Sequence, residues 1–262
     1  LLLKLEEINL ELEKMFKKEL DENKRKEALI IYQARLAAMG EMIGNIAHQW
    51  RQPLNNLGLI ISNMQDAYAY GELTEEYLNS SVERCRNLII KMSETIDDFR
   101  DFSNPHSEKE VFSVSERILT VIDLVEENLR FNNIKVELKD DLKIKGYGYP
   151  NQYLQAVFNI INNSIDALVS SNKENKKIEI TISENENMVV AEFKDNGIGL
   201  SKDIEDKVFD IYFTTKDKTK GTGLGLYITR TIIENHMNGD VEILGCDKGA
   251  KIRVSIPKIR EE

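Results

Sequence analysis

The sequence predicts an α+β chain: a long helical coiled coil and helical hairpin, followed by an α/β sandwich. Three observations predict it. Of 14 glycines, only Gly40, Gly44, Gly58 and Gly71 precede residue 146, and five of the other ten crowd into residues 197–225. Before residue 104 the apolar residues recur in steps of four and three, the mark of helices that pair along a seam. Beyond residue 130, short runs with period-two alternation are interleaved with helical patterns.

The first seam is Leu1, Leu5, Ile8, Leu12 and Met15. The same register then meets Glu19, Glu22 and Lys26 before Leu29 and Leu36, so the seam is interrupted between about residues 17 and 28. Such a stretch is either a weak part of a continuous coiled coil or a segment able to change register. A second seam runs Ile43, Ala47, Trp50, Leu54, Leu57, Ile61, Met64, Tyr68, and a third runs Leu78, Val82, Cys85, Ile89, Met92, Ile96, Phe99. Gly71 lies between them, so two helices form an antiparallel hairpin, and two hairpins bury their faces as a dimeric four-helix bundle. His48 falls one residue past the seam and points toward solvent. Pro53 follows it inside the helix, where proline costs about 3 kcal/mol, so the segment around His48 carries a distortion worth keeping.

Ser103-Asn-Pro-His106 ends the helical part as a linker. Ser113 and Glu116 have capping-box spacing and open a helix to about Leu129. Strands are expected at 134–139 and near 142–145, a helix from Pro150 to about residue 170, strands near 177–183 and 187–194, a helix from about 224 to 237, and strands near 240–244 and 250–256.

Composition excludes several classes. There is no run of about 18 apolar residues and no signal-peptide pattern, and the chain does not begin with Met, so it reads as a fragment. Two distant cysteines, Cys85 and Cys246, suit a reducing compartment. The net charge of −10 is evenly shared, 13 basic against 18 acidic residues in 1–104 and 22 against 27 in the remainder, so neither part has the basic excess of a nucleic-acid binder.

Three motifs carry chemistry. Asn159 and Asn163, four apart on an otherwise apolar helix, can converge their amide oxygens on a hard cation such as Mg²⁺; buried amides bonded to backbone are the other reading. Asp195-Asn-Gly197-Ile-Gly199 follows a strand. Gly221-Thr222-Gly223-Leu224-Gly225 opens a helix, where backbone N–H groups attract phosphate. Between the last two lies Phe209-Asp-Ile-Tyr-Phe213-Thr-Thr-Lys216, then Lys218 and Lys220, which reads as a lid facing phosphates.

In order and spacing, these pieces resemble the sensor histidine kinases of two-component systems over roughly residues 30–258, with Thr-Thr-Lys216 pointing to the nitrogen-regulator-like subgroup. The resemblance implies a coiled-coil signalling helix (1–40), a dimerisation and histidine phosphotransfer domain (41–104), a linker (105–112) and a Bergerat-type α/β sandwich that binds ATP (113–262). It implies that His48 is the phosphoacceptor, that Asn163 holds Mg²⁺ with Asn159 assisting, that Asp195 binds the adenine amino group with Gly197 and Gly199 shaping the pocket, and that Lys216 and the run Gly221, Thr222, Gly223, Leu224, Gly225 form the phosphate-facing lid end. A homodimer, a response-regulator receiver domain as partner and a cytoplasmic location follow; no nucleic acid is expected, and any membrane anchor would precede residue 1.

One position departs from the family. Many members carry an acid directly after the histidine; here it is Gln49, which cannot take a proton. A positioned base contributes about 10²–10⁴-fold, but imidazole, with a reference pKa of about 6.5, is mostly neutral at pH 7 and can attack without one. Gln49 can still accept from the imidazole N–H and fix its tautomer. Gln52, one turn on, can orient a water toward a partner's phospho-aspartate. Chaperone-, gyrase- and mismatch-repair-type ATPases share the pocket but commonly carry a water-activating glutamate where Asn159 stands. A Bergerat-fold ATPase and a catalytically impaired, nucleotide-binding dimeric scaffold are the alternatives.

Overall fold

A computed structural model describes residues 2–103, 108–139, 144–201, 204–205, 207–215, 223–245 and 249–258. Helix α1, Leu2–Ala69, is unbroken over 68 residues, about 100 Å at 1.5 Å per residue. It runs straight through the polar stretch at 17–28 and through Pro53, and across the boundary at residue 40. Gly71, at φ 73°, makes the turn, and α2, Glu75–Ser103, returns. The paired seams stay largely open in the single chain: Ile43, Leu54, Ile61, Ile89 and Ile96 are all exposed.

The sandwich begins with β1, Glu110–Ser113, inside the stretch read as linker. Ser113 caps the next helix, its Oγ accepting from the Glu116 N–H at 3.3 Å. That helix is shorter than expected: α3 covers Val114–Leu124, and after Val125 a separate short α4 covers Glu126–Phe131. Strand β2 is Ile134–Lys139. The strand expected near 142–145 starts later, as β3, Lys145–Gly148, which pairs antiparallel with β1. Then come α5, Pro150–Val169, with Pro150 in its first turn, β4, Lys176–Glu184, and β5, Met188–Asp195. Helix α6, Gly225–Arg230, continues as a π-helical segment, Thr231–His236. Strands β6, Asp240–Leu244, and β7, Lys251–Pro257, complete the chain.

Five strands form one sheet in the order β2-β4-β5-β7-β6, parallel only between β2 and β4. Its alternation is one-sided. Ile180, Phe193 and Ile252 are cross-strand neighbours on the buried face, as are Ile182, Ala191 and Val254. The other face carries charge: Arg253 bridges Glu192 and Glu242 at 2.8 Å each. The helices therefore cover one face only, with α5 between α3 and α6. Phe158 of α5 meets Phe102 of α2 edge-on, ring centroids 5.3 Å apart, and Tyr153 packs against Phe112 of β1 at 5.4 Å.

Both rings of the first pair are essentially excluded from solvent. Phe158→Ala should lower stability by about 3–5 kcal/mol in urea denaturation of the whole chain, the largest change falling in the transition of the sandwich.

Candidate nucleotide site

The site gathers at the end of the sheet where β5 stops. Asp195 is its last residue and is only 4% exposed. One carboxylate oxygen, Oδ1, accepts from the Gly197 N–H at 2.8 Å and from the Ala250 N–H at 3.3 Å. The Ser164 hydroxyl of α5 also bonds the carboxylate. Burial nevertheless pushes its pKa above the ordinary carboxylate value, with the hydrogen bonds and the charge of Lys173 pulling the other way. A buried, ionised carboxylate is an acceptor for an amino group.

The loop after Asp195 lies against the end of α5: the Ile198 N–H bonds the Ala167 carbonyl at 3.3 Å. A Cβ on Gly197 would meet the Ala167 backbone at 2.8 Å, so only glycine lets the loop come this close. Gly199 follows in the same loop. Nearer the start of α5, Asn159 donates through Nδ2 to the carbonyl of Gly225, the first residue of α6, at 3.1 Å. The Thr229 hydroxyl donates to the same oxygen at 3.0 Å. Asn159 thus ties the start of α6 to α5 with its NH₂ end, which leaves its amide oxygen as the end suited to a cation. Asn163 lies one turn further along α5, half-buried. Amide oxygens are hard donors of the kind that can hold a cation which keeps several of its waters.

Gly223 has φ 65°, and a Cβ there would lie 2.4 Å from the carbonyl carbon of Tyr212, which itself has φ 64°. Tyr212 and Gly223 are thus brought into backbone contact. Leu224 is buried beside it. The Arg230 guanidinium sits 4.0 Å from the centroid of the buried Phe209 ring and clamps the aromatic segment to α6. Of the expected site residues, Lys216, Gly221 and Thr222 lie outside the described residues.

The expected phosphoacceptor segment is elsewhere. His48 lies on α1, its side chain outside those described. Gln49 donates through Nε2 to the Asp123 carbonyl at the end of α3, 2.6 Å away, and Gln52 donates to the Glu127 carboxylate of α4. The nucleotide groups thus collect along α5, at its junction with α6 and at its C-terminal end, while the segment of His48 is fixed to α3 and α4.

Sequence reading missed three parts of this site. Ser164, next to Asn163, was legible as a hydroxyl on a buried helix face. The Ala250 N–H comes from a turn with no motif of its own. Arg230 reads as an ordinary surface charge until Phe209 is found beneath it.

The sandwich with its buried carboxylate and amide-bearing helix, carried on a helical hairpin, defines an ATP-binding kinase core. Residues 148–260 match the family of histidine kinase-, DNA gyrase B- and HSP90-like ATPases. The chain is 27% identical over 229 residues to the two-component sensor PprA of Pseudomonas aeruginosa, covering 86% of this chain and 25% of that protein. The catalytic domain of histidine kinase ThkA is 31% identical with a TM-score of 0.52, matching 58% of this chain and 99% of that one. ThkA in complex with the response regulator TrrA has 25% identity and a TM-score of 0.50, over 87% of this chain and 64% of that one. The chain belongs to the sensor histidine kinases of two-component systems. It spans from a quarter to about half the length of curated relatives it matches.

Because folding raises the pKa of Asp195, its contribution to stability is present below its unfolded value of about 3.9 and is lost as pH rises through the folded value. At pH 7 the ionised carboxylate weakens the fold. Asp195→Asn should therefore melt no lower than the parent while binding ATP at least tenfold more weakly in calorimetry, a loss of about 1.4 kcal/mol or more. Ser164→Ala should weaken ATP severalfold and leave Mg²⁺-independent melting nearly unchanged.

Proposed function

We propose that the chain phosphorylates its own His48 from ATP and passes the phosphoryl group to an aspartate of a response-regulator receiver domain. The observation that carries this reading is the pairing of Asp195, wedged between β5 and α5, with the Asn159–Gly225 bond that opens α6. Asp195 accepts from the adenine amino group, and its backbone bonds leave the carboxylate fixed before the base arrives. Asn163 and Asn159 hold Mg²⁺, which neutralises phosphate charge when bound. Lys216, Gly221, Thr222 and Gly223 through Gly225 close over the phosphates, with Gly223 and Tyr212 as the crease.

His48 attacks the γ-phosphorus in line through Nε2, the bond to the β–γ bridging oxygen breaks, and ADP leaves. The bond from Gln49 to Asp123 uses its NH₂, so its oxygen remains the acceptor that would hold Nδ1–H. Gln52 orients the water that hydrolyses a partner's phospho-aspartate. The residue at the place of a hydrolytic glutamate is Asn159, which can take no proton, so transfer to a side chain fits better than ATP hydrolysis. The open seams, with the groove formed by Ile61, Met64, Gln65, Tyr68 and Leu73, suit a second copy and a four-helix bundle. The nitrogen-regulator-like subgroup and a cytoplasmic location complete the reading; among the described residues no helix is long and apolar enough to cross a membrane.

With γ-labelled ATP and Mg²⁺, the protein should take an acid-labile, base-stable label that His48→Ala abolishes. ATP turnover without labelled protein would instead favour the ATPase. Gln49→Ala should slow labelling about tenfold or more, and equal rates for Gln49→Ala, Gln49→Glu and the parent would remove Gln49 from the mechanism. Gln52→Ala should spare labelling and slow dephosphorylation of the receiver.

A further inference from the structure

No motif marks the turn that joins α5 to β4, residues 170–175, yet it lies against the loop that follows Asp195. Asn196 laces the two together. Its Oδ1 accepts from the Lys177 N–H at 2.8 Å, and its Nδ2 donates to the Asn175 carbonyl at 2.7 Å. Its own N–H bonds the Lys177 carbonyl at 3.2 Å. So fastened, the turn sets the half-buried Lys173 on the loop. The ammonium donates to the Asn196 carbonyl and, at 3.4 Å, to the Gly197 carbonyl.

Each of these carbonyls belongs to a peptide unit whose N–H is also in use. The Asn196 carbonyl shares its unit with the Gly197 N–H, which donates to Asp195 Oδ1 at 2.8 Å. The Gly197 carbonyl shares its unit with the Ile198 N–H, which bonds the Ala167 carbonyl of α5 at 3.3 Å. In a planar trans peptide the C=O and the N–H point in opposite directions. A cation on the oxygen and an acceptor on the hydrogen therefore sit at the two ends of one dipole. Polarising the carbonyl strengthens the bond its N–H donates, because hydrogen bonds in a chain reinforce one another where the dielectric is low. One ammonium thus acts through two peptide units. The first ends on the carboxylate, and the second on the helix that carries Asn159, Asn163 and Ser164. The charge of Lys173 also favours the ionised carboxylate against burial, and its other partners (Ser164 and the Gly197 and Ala250 N–H groups) are neutral donors.

We propose that Lys173 is a positioning residue for the nucleobase: through the Asn196–Gly197 peptide it holds Asp195 oriented as the acceptor for the 6-amino group of a purine. The proposal rests on the nucleotide reading above and adds to it a residue that acts at one remove from the ligand. A purine with an oxo group at position 6 presents an acceptor to an acceptor there, so Lys173 also sets the preference for adenine over guanine.

Calorimetry with ADP and with purine riboside diphosphate, which lacks only the 6-amino group, tests this role. The parent should prefer ADP. Lys173→Met should lower the affinity for ADP roughly fivefold or more, the size of one weakened hydrogen bond, and change that for purine riboside diphosphate less than about twofold. Lys173→Arg, whose guanidinium can donate to the same carbonyls, should recover most of the ADP affinity. In an Asp195→Asn parent, Lys173→Met should have no further effect. The amide proton resonance of Gly197 reads the relay without a ligand: it should move upfield in Lys173→Met and hold its place in Lys173→Arg. An equal loss for both diphosphates, a full loss on top of Asp195→Asn, or an unmoved Gly197 resonance would overturn the role of Lys173. A parent that binds both diphosphates alike would overturn the reading of Asp195 as the adenine acceptor, while the Gly197 resonance would still show whether Lys173 acts on the loop.

Discussion

The nucleotide-binding half of the molecule depends on one packing constraint: a sheet with a single apolar face must be covered, and α5 is the helix that covers its middle. Ile180, Phe193 and Ile252 lie across three neighbouring strands and are all buried. The same helix brings Phe158 to Phe102, Ser164 to Asp195 and Asn159 to Gly225. Fixing the helix by its apolar side therefore fixes its polar residues by geometry alone. The chemistry is as well placed as the core is well packed, because both are properties of one rigid rod.

Against that centre the site is bounded by segments held through backbone conformation and a cation–π contact. Gly223 and Tyr212 both take left-handed backbone, which for tyrosine stores strain that the surrounding structure must hold. Arg230 over the buried Phe209 ring holds one side of that segment. Asp195 shows the same division within one residue: backbone N–H groups hold it still, and burial keeps it unstable as an anion until a ligand shares its charge.

Much of this was legible in the sequence, because period and spacing survive folding. The two hairpin helices, Pro150 at the head of α5, β2 and the four later strands stand where alternation placed them. The misses share a cause. Strand β1 has four residues and one buried side chain, too short for alternation to register. The break at Val125 has neither glycine nor proline to mark it, and buried residues continue across it. At the site, Asn159, Asp195 and Gly225 announced themselves by spacing, but the direction of the Asn159 amide and the partners of Asp195 are contacts between residues far apart in the chain. The packing of α1 on the sandwich was invisible for a further reason: Ala34, Ala38 and Met42, buried in one core with the sandwich helices, fit a coiled coil as easily as a domain contact, so the pattern alone does not say which surface they meet.

The π-helical segment after α6 sets a limit on chain length at that point. The Met237 N–H bonds the Ile232 carbonyl, five residues back, so the turn holds one more residue than an α-helical one. Ile232, Ile233 and Met237 are buried on either side of it. Deleting one residue there would let the turn close as ordinary α-helix, a change the core could absorb. It would also remove or re-aim a residue of the bulge itself, taking Asn235 or His236 off the side that meets Glu27 and Gln152. Homologues that lack the extra residue would then share the nucleotide pocket but not the docking of α1, and a count of residues between Gly225 and Gly239 would separate the two kinds.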